Sequence, residues 1–476
     1  MVARATSMTP PAREAQDGLA AAFRAVRAEH DVRATFPPEV LAAAEQAARN
    51  PHLPEADARD VPFVTIDPPG AKDLDQAVHV ERTRRGFRVR YAIADVPAFV
   101  APRSPVDDES WLRGQTIYCP DTRVPLHPPV LSEGAASLLP GEDRPAFVWD
   151  VELDDDGARR SARVTRALVR SRSQLTYAEV QDAVVGGTGG ESLELLREVG
   201  RLRVARESAR GGASLPIPEQ EVHVDEAGRF GLRLRPVLES EEWNAQVSLL
   251  VGIAAAQIML DGGLGVLRTM PPASPEAIAR FRLEAEALGA RWPEDLPYGD
   301  FLRTLDREDP RHLAIVHEAT SLFRGSGYTA FDGEPPADPV QAAIAAPYAH
   351  TTAPLRRLVD RFSLAVCEAL CAGREVPAWA RERLADLPGA MTASGQRAGA
   401  VDRACTDAVE AAVLAHRVGE VFDAVVVDSN GSGLEVLVTE PAVVARAEGA
   451  ASPGDRVRVE LLTADVATRT VRLAVR

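Results

Sequence analysis

The spacing of apolar and polar residues along the chain changes several times and predicts a mixed succession of elements. Residues 11–50 have apolar positions at helical spacing, which predicts two short helices interrupted at Pro37 and Pro38. From residue 61 to about 172 the pattern alternates with period two, which predicts strands joined by glycine or acidic turns. Helices are predicted next, at 177–184, 192–209 and 241–260. The last of them is apolar nearly all round, which is typical of a buried core helix.

Two further parts of the pattern are informative. Residues 114–145 form a long segment rich in proline and glycine between predicted strands, and a loop of that length inside a domain is usually functional. From about residue 419 the alternation returns, with strand–turn–strand pairs at 421–441 and 454–476. This end of the chain, about 58 residues, predicts a five-stranded antiparallel barrel of the oligonucleotide-binding (OB) kind. An SH3-like barrel is the alternative at this length.

Composition and charge narrow the class of protein without selecting one. The chain has 476 residues and a formal net charge of −16, so its surface as a whole is not basic, although a local groove can still be positive. No apolar run reaches the roughly 20 residues that a bilayer requires, and the N-terminus lacks the apolar segment of a signal peptide. We therefore expect a cytoplasmic protein. The cysteines lack metal-ligand spacing, and we expect buried free thiols at Cys119, Cys367, Cys371 and Cys405.

The most informative stretch is TIDPPGAKDLDQAVHV, residues 65–80, which contains Asp67, Asp73 and Asp75. The first carboxylate ends a predicted strand, and the other two open a second strand, where they would share one face. Carboxylates about 4 Å apart repel by roughly 4 kcal/mol per pair at an effective dielectric of about 20. Lys72, the chain's one lysine, cannot balance three of them. The cluster indicates a divalent cation held by oxygen ligands, for which Mg²⁺ is the expected ion, with an acidic hairpin turn as the alternative.

A second stretch, PYAHTTAPLRRLVDRFSLAVCEALCAG at 347–373, predicts a helix with Thr352 near its N-cap and Pro354 at its first position. Arg356 and Arg357 then fall in the first turn, where the helix dipole disfavours cations. Two guanidinium groups beside free backbone N–H groups indicate a bound anion, for which phosphate is the natural candidate. The alternative is that both arginines pair with acidic neighbours.

These motifs resemble those of the ribonuclease II/R exoribonucleases, the RNB family. TIDPPGAKDLDQA resembles the first signature of that catalytic domain. The stretches that agree after it, in order, are YAIADVPAFV, IYCPDTRVPLHPPVLSEGAASLLPGEDRPAF, LPIPEQEV and PYAHTTAPLRRLVD. The terminal barrel is similar to the S1 domain that follows in the family. The resemblance covers roughly residues 61–476, and the first and last signatures are specific.

The resemblance implies hydrolysis of single-stranded RNA from its 3′ end to 5′-nucleoside monophosphates, with two metal ions. By position, the metal ligands would be Asp67, Asp73, Asp75 and, in place of a further aspartate, Gln76. Asp75 falls at the position that the family treats as catalytically critical. The other implied site residues are Arg356 on the scissile phosphate, with Arg357 and His350 beside it, and the aromatic residues Tyr118 and Tyr177 along the RNA path.

The chain also departs from the family pattern. Gln76 is a weaker Mg²⁺ ligand than aspartate, so metal affinity, rate or metal count is in question. Ser248 and Leu249 stand where a glutamate pair is usual, and 402–404 matches a later Glu-Arg-Asp only in part. The usual N-terminal cold-shock barrels are replaced by a short helical segment.

We therefore expect an α+β protein: a helical region over 1–60, for which a helix-turn-helix-like unit is one interpretation; a mixed α/β RNB catalytic domain over 61–415; and an S1-like OB barrel over 416–476. The expected function is that of a Mg²⁺-dependent 3′→5′ exoribonuclease, with Mn²⁺ as a substitute. The expected partner is the 3′ end of single-stranded RNA, without a membrane, and the protein is expected to be a monomer. Two alternatives stay open: a catalytically weakened RNA-binding protein of the same fold, and a hydrolase of another phosphodiester such as single-stranded DNA.

Overall fold

The computed structural model describes residues 10–213, 219–224, 229–235, 237–306, 309–319, 322, 325–430, 433–438, 440–441 and 443–476. Parts of some sequence predictions lie outside the described residues. These parts are residues 1–9 of the helical region, 215–218 of the LPIPEQEV motif, and 431–432 and 439 of the hairpin at 421–441.

Within the described residues, helices and strands alternate along the chain. The helices are α1 (Pro10–Glu29), α2 (Pro38–Arg49), α3 (Pro105–Arg113), α4 (Tyr177–Val185), α5 (Gly190–Ala209), α6 (Glu239–Gly262), α7 (Pro275–Ala287), α8 (Tyr298–Arg303), α9 (Pro310–Ala319), α10 (Leu358–Cys371), α11 (Ala378–Arg381) and α12 (Leu387–Leu414). The strands up to the last helix are β1 (Thr65–Asp67), β2 (Gln76–Thr83), β3 (Gly86–Ala94), β4 (Ile117–Tyr118), β5 (Arg123–Val124), β6 (Asp143–Leu153), β7 (Arg159–Arg170), β8 (Gln174–Thr176), β9 (Glu219–Val224), β10 (Phe230–Arg235), β11 (Leu264–Thr269), β12 (Gly327–Asp332), β13 (Val340–Gln341) and β14 (Ala346–Pro347). The strands after it are β15 (Val421–Asn430), β16 (Gly433–Val438), β17 (Val443–Glu448), β18 (Arg456–Asp465) and β19 (Thr470–Val475).

A four-stranded antiparallel sheet in the order β2-β3-β6-β7 forms the centre of the large α/β region. Successive residues of each strand point to opposite faces of the sheet, and both sets are buried because each face packs against its own hydrophobic core. Tyr91 and Ile93 of β3 face the larger core, which includes α5, α6 and α10. Ala92 and Ala94 face a second core that includes residues of α2. The predicted strands that correspond to β2, β3, β6 and β7 are confirmed in this sheet, whereas the predicted strand that ends at Asp67 is β1, which pairs with β8 in a separate sheet.

The helix α6 is the predicted core helix. It packs against α5, α10 and β11, and Trp243, Val247, Leu250 and Val251 are buried on it. Within the described residues, α6 is also the helix that is long and apolar enough to cross a membrane by length and composition, a test that buried core helices pass as well. Its burial within the fold accounts for its apolar character.

The end of the chain forms a closed five-stranded barrel in the order β15-β16-β17-β19-β18, which confirms the predicted five-stranded barrel. The expectation that all its strands are antiparallel is wrong for one pair, because β17 and β19 run parallel. The barrel shares a hydrophobic core with α1 and α12. The stripe of Leu19, Phe23 and Val26 that predicted the first helix is fully buried in this core. The N-terminal helix is therefore packed against the C-terminal part of the fold, through apolar side chains at helical spacing.

The expectation of buried free thiols is correct for only part of the set. All the cysteines are free, and Cys367 and Cys405 are buried. Cys371 is exposed and Cys119 is half-buried. The expectation is wrong for these two because exposure depends on which surface each side chain faces after folding.

Candidate active site

A cavity of about 880 Å³ lies between the ends of β1 and β2, the helices α4 and α6, and the segment before α10. The predicted site residues that line it are Asp67, Asp73, Asp75, Gln76, Tyr118, Tyr177, Arg356 and Arg357. Folding thus brings the aspartate-rich stretch and the arginine pair to one cavity. His350 is the predicted site residue that does not line it.

Asp67 is the last residue of β1, and main-chain pairing holds it in place. β1 runs parallel to β8, with Asp67 opposite Thr176. The Oδ2 atom of Asp67 is buried and has no hydrogen-bond partner among the residues that the structure describes. Burial raises the pKa of Asp67 to about 6, against the opposing influence of Arg356 and with a further increase from Asp73. A desolvated carboxylate oxygen without a partner is available to a cation.

Asp75 lies deeper, with only 4% of its surface exposed. Its Oδ1 atom accepts a hydrogen bond from the Leu355 backbone N–H at 2.8 Å. Its Oδ2 atom lies 3.8 Å from the Arg356 Nε. Burial raises the pKa of Asp75 well above its ordinary range, and the charge of Arg356 and the Leu355 hydrogen bond offset this only in part. Asp75 therefore joins the two informative stretches of the sequence by direct contact.

The second strand does not begin at Asp73, as the alternation predicted; β2 begins at Gln76. The residues before it are held by a loop instead of by a neighbouring strand. The Leu74 N–H donates to the Ser137 hydroxyl at 3.0 Å, and the Leu138 N–H donates to the Leu74 carbonyl at 3.0 Å. This long-range contact overrides the local strand pattern.

Asp73 forms an ion pair with Arg123, which also pairs with Glu133. Sequence reasoning did not identify Arg123 or Glu133 as site residues. Both belong to the proline- and glycine-rich segment 114–145, whose length was the available signal. Asp73 therefore has Arg123 as its cationic partner, whereas the arginine near Asp75 is Arg356.

Gln76 is held by a hydrogen-bond network that the sequence did not indicate. Its Oε1 atom accepts hydrogen bonds from the Tyr91 hydroxyl and, at 3.2 Å, from the Ser248 hydroxyl. The two hydroxyls also contact each other at 2.8 Å. Ser248 stands where a glutamate is usual in the resembled family, so two departures from the family pattern contact each other.

The helix predicted to begin near Pro354 begins at Leu358, and the prediction that both arginines lie in its first turn is wrong. Asp360 explains the difference, because its Oδ1 atom accepts from the Ala353 N–H at 2.7 Å and folds the preceding residues into turns. Asp360 also binds Arg357 through two hydrogen bonds of 2.8 Å. The alternative of an acidic partner is thus correct for Arg357.

Arg356 is placed differently. The Thr116 N–H donates to its carbonyl at 3.0 Å, which fixes the backbone before α10. Its side chain is 45% exposed and lies on the cavity, and the carboxylate within ion-pair distance in the described residues is Asp75. This guanidinium keeps donors available for an anion in the cavity.

The two predicted aromatic residues, Tyr118 and Tyr177, line the cavity from different secondary-structure elements. Tyr118, in β4, is 51% exposed. Tyr177 is the first residue of α4, which Thr176 caps together with Glu179. The Tyr177 hydroxyl is hydrogen-bonded to the side chain of Asn244 on α6. One ring is therefore free to stack on a base, and the other has a fixed orientation.

His350 is half-buried beside the cavity and forms a polar and aromatic cluster of its own. Its Nδ1 atom lies 2.8 Å from the Tyr328 hydroxyl, and its ring makes edge contacts with Tyr328 and Tyr348. Burial lowers the pKa of His350 well below its ordinary value, and nearby arginines lower it further. These contacts hold His350 against Tyr328 and Tyr348, and its side chain does not line the cavity.

The residues present fit a hard cation, although they do not form a closed cage. Across the described residues, no three His, Cys, Asp or Glu side chains are gathered as a ready metal site. Asp73 is oriented towards Arg123, while Asp67 has a buried oxygen without a partner. Carboxylate oxygens are the donors that Mg²⁺ prefers, and a cation would relieve the desolvation of Asp67 and Asp75.

Two family models match the chain. The model described as the RNB domain matches residues 55–369, and the model described as the RNase II-type exonuclease C-terminal S1 domain matches residues 420–476. Among curated relatives, Ribonuclease R of Escherichia coli (strain K12) is 30% identical over 340 residues, which cover 68% of this chain and 41% of the relative. The chain thus spans less than half the length of that relative.

Solved structures agree in fold. The Mycoplasma genitalium RNase R in complex with ribose methylated single-stranded RNA matches with a TM-score of 0.86 and 18% identity, over 97% of this chain and 78% of that one. Yeast Ssd1, a pseudonuclease, matches with a TM-score of 0.72 and 15% identity, over 93% of this chain and 57% of that one. At these identities the likeness shows the fold alone, and the second match shows that the fold also occurs in a protein described as a pseudonuclease.

Proposed function

We propose that this chain, which belongs to the RNB-domain family, is a 3′→5′ exoribonuclease that hydrolyses single-stranded RNA to 5′-nucleoside monophosphates and a short end product, with Mg²⁺ as its metal. One observation carries the proposal. The poorly compensated carboxylates of Asp67 and Asp75 share a cavity with the half-exposed guanidinium of Arg356. A bound cation would neutralise the carboxylates in this cavity, and an RNA phosphate would neutralise the guanidinium of Arg356.

The side chains suggest a division of roles. Arg356 binds the phosphate at the cleavage point, since its donors face the cavity, and Asp75 orients it at 3.8 Å. Tyr118 stacks on a base near the 3′ end, which is sequence-tolerant because every base has a π-face. Tyr177, beside Asn244, lines the same cavity and would contact the RNA there.

The metal would be held by Asp67 and Asp75, and by Asp73 once its ion pair with Arg123 opens. When bound, a divalent cation would supply charge stabilisation and nucleophile activation for an in-line displacement at phosphorus. Mn²⁺ has similar ligand preferences and is the expected substitute. Arg123 would then keep its ion pair with Glu133, so that its guanidinium would retain an anionic partner after Asp73 is released.

The test is a time course on a 5′-labelled single-stranded RNA with Mg²⁺, with EDTA, and with the Asp75→Asn variant. Asp155→Asn is the matched control, because it makes the same change of charge in an exposed turn between β6 and β7. We expect a ladder that shortens towards one small oligomer with the wild type and the control, and no ladder with EDTA or Asp75→Asn. A parallel deoxyribose oligomer separates this proposal from a single-stranded DNA hydrolase.

The second candidate is a catalytically weakened RNA-binding protein. The observation that favours it is the occupied carboxamide of Gln76, whose Oε1 atom is already bonded to Tyr91 and Ser248 and so is a poor metal ligand. This candidate predicts RNA binding at 1:1 stoichiometry without release of nucleotides in either Mg²⁺ or Mn²⁺. Measurement of binding and release on the same RNA distinguishes the two candidates.

We also propose that the protein is a monomer acting in the cytoplasm. The burial of α6 among α5, α10 and β11 supports the absence of a membrane role for this helix. Size-exclusion chromatography with light scattering tests the first part, since a dimer would have twice the 51.0 kDa mass of the chain.

A further inference from the structure

The tight turn between β4 and β5 brings together two cysteines that are far apart in the sequence. The Cys119 N–H donates to the Thr122 carbonyl at 2.9 Å, and this turn presents Cys119 to the side of α12. There Cys119 packs against the hydrophobic cluster that contains Cys405 of α12, and the two thiols are within hydrogen-bonding range of each other. Cys405 is buried in the core shared by α12 and the barrel, and Cys119 is half-buried. One thiol of the pair is thus accessible from solvent and the other is not.

A third residue makes the two thiols chemically unequal. Arg27 of α1 donates to both Asp121 carboxylate oxygens, at 2.6 and 3.0 Å, and its guanidinium is also hydrogen-bonded to the Cys119 sulfur. Hydrogen bonds from Cys405 and Arg27 lower the pKa of the Cys119 thiol, while the same contact with Cys119 raises the pKa of Cys405. This is the arrangement of an attacking thiolate beside a resolving thiol.

The pair is adjacent to the candidate active site. Tyr118 precedes Cys119 directly and is paired with Arg123 across the β4–β5 hairpin. The same Arg123 forms the ion pair with Asp73. A covalent change at Cys119 therefore acts on the hairpin that carries both an aromatic wall of the cavity and the partner of a candidate metal ligand.

We propose that Cys119 and Cys405 are an oxidisable dithiol that a hydroperoxide converts into a disulfide, which ties the β4–β5 hairpin to α12. The Cys119 thiolate attacks the peroxide oxygen, breaks the O–O bond and becomes a sulfenic acid with release of hydroxide. The Cys405 thiol then attacks the sulfenic sulfur, forms the S–S bond and releases water. The two thiols lose two electrons, and one hydrogen peroxide is reduced to two waters.

Bond formation shortens the sulfur separation from hydrogen-bond contact to about 2.05 Å and draws the hairpin towards α12. Tyr118 and Arg123 move with it, and a displacement of about 1 Å in a positioned site costs up to roughly 100-fold in rate. We expect the oxidised protein to release nucleotides at least about tenfold more slowly, with recovery after a dithiol reductant. This consequence rests on the proposed function, whereas the disulfide itself does not.

The experiment treats the 476-residue chain with hydrogen peroxide and maps its peptides under non-reducing conditions by mass spectrometry. We expect a Cys119–Cys405 linked peptide, two mass units lighter than the sum of its parts, that disappears on reduction. RNA affinity and nucleotide release are measured on the same samples, so a protein without nuclease activity would still report on the disulfide. Absence of the linked peptide, with Cys119 only over-oxidised or unmodified, would overturn the proposal whatever the activity.

Matched variants identify the thiols involved. Cys405→Ser should prevent the linked peptide and make the activity insensitive to brief oxidation, and Cys371→Ser should leave both responses unchanged, since Cys371 is exposed on α10 and not part of the pair. Arg27→Gln should slow disulfide formation by about threefold or more, because it removes the charge that stabilises the thiolate, and Arg27→Lys should restore part of the rate. Equal rates in wild type and Arg27→Gln would refute the role assigned to Arg27. If Cys405→Ser does not fold, the wild-type peptide map still decides the proposal.

Discussion

The unpaired carboxylate of Asp67 predicts that the candidate site reduces the stability of the metal-free protein. Burial raises the pKa of Asp67 from 3.8 to about 6 in the folded chain. At about 1.36 kcal/mol per pKa unit, this rise corresponds to roughly 3 kcal/mol. Because the folded pKa is raised, the stability that protonated Asp67 contributes is present below pH 4 and lost as pH rises through 6.

Asp67→Asn keeps the shape and removes the charge. In EDTA at pH 8, we expect the variant to gain up to about 3 kcal/mol in free energy of unfolding, and at pH 4 the gain should vanish. Saturating Mg²⁺ should reverse the order, because ligand binding stabilises only a wild type that retains its site. The variant should meanwhile lose activity by at least about 100-fold, the scale of a lost electrostatic contact in a transition state.

The assay is urea unfolding monitored by tryptophan fluorescence at both pH values, with and without Mg²⁺. Asp155→Asn is the control for the change in net charge, because Asp155 is exposed in a turn away from the cavity. A variant that is no more stable than wild type at pH 8 in EDTA, or whose gain is the same at pH 4, would refute the desolvation argument. Equal stabilisation of both proteins by Mg²⁺ would refute the role of Asp67 in metal binding.

Further predictions concern other side chains of the cavity. Arg356→Gln should lower the rate of nucleotide release by about 100-fold in a single-turnover assay, and it should also lower the melting temperature, because the charge of Arg356 offsets part of the desolvation of the buried Asp75. Gln76→Asp should lower the Mg²⁺ concentration for half-maximal activity, and should lower the free energy of unfolding in EDTA by about 1–3 kcal/mol, because the shorter side chain leaves the buried Tyr91 hydroxyl without this acceptor. Tyr118→Ala should lengthen the end product seen on a sequencing gel while Tyr118→Phe leaves it unchanged, because stacking requires the ring and not the hydroxyl.

Each of these has an outcome that would contradict it. An Arg356→Gln variant with wild-type rate at saturating RNA would exclude the phosphate role. An unchanged Mg²⁺ requirement in Gln76→Asp would mean that this position does not contact the ion. An unchanged end product in Tyr118→Ala would remove this ring from the path of the RNA.

Local patterns in the sequence were sufficient for much of the architecture. Period-two alternation predicted the central sheet and the terminal barrel, and the apolar surface of residues 241–260 predicted the core helix α6. These predictions succeed because each element must present its apolar positions to a core, and the period of those positions depends on backbone geometry alone. The spacing of Asp67, Asp73 and Asp75 likewise indicated a charge cluster, and all three lie on one cavity.

Other features depended on contacts between distant residues. The start of α10 shifted to Leu358 because Asp360 and the backbone of residue 116 hold the preceding turns. Asp73 forms an ion pair with Arg123, and Gln76 accepts hydrogen bonds from Tyr91 and Ser248. None of these pairs has a signature in local spacing.

Local patterns therefore predicted the strands of the central sheet and the barrel, part of the helices and the residue types that carry the chemistry. They did not predict α3, α7, α8, α9, α11 or the 28-residue helix α12. The three-dimensional fold was needed to show which carboxylate oxygen is buried without a partner, which arginine remains available to an anion, and which two cysteines meet. The two kinds of feature differ in how far apart along the chain the interacting residues lie. Periodicity and turn preference act over a few residues, whereas burial, ion pairing and pKa shifts depend on side chains that the fold brings together from anywhere in the chain.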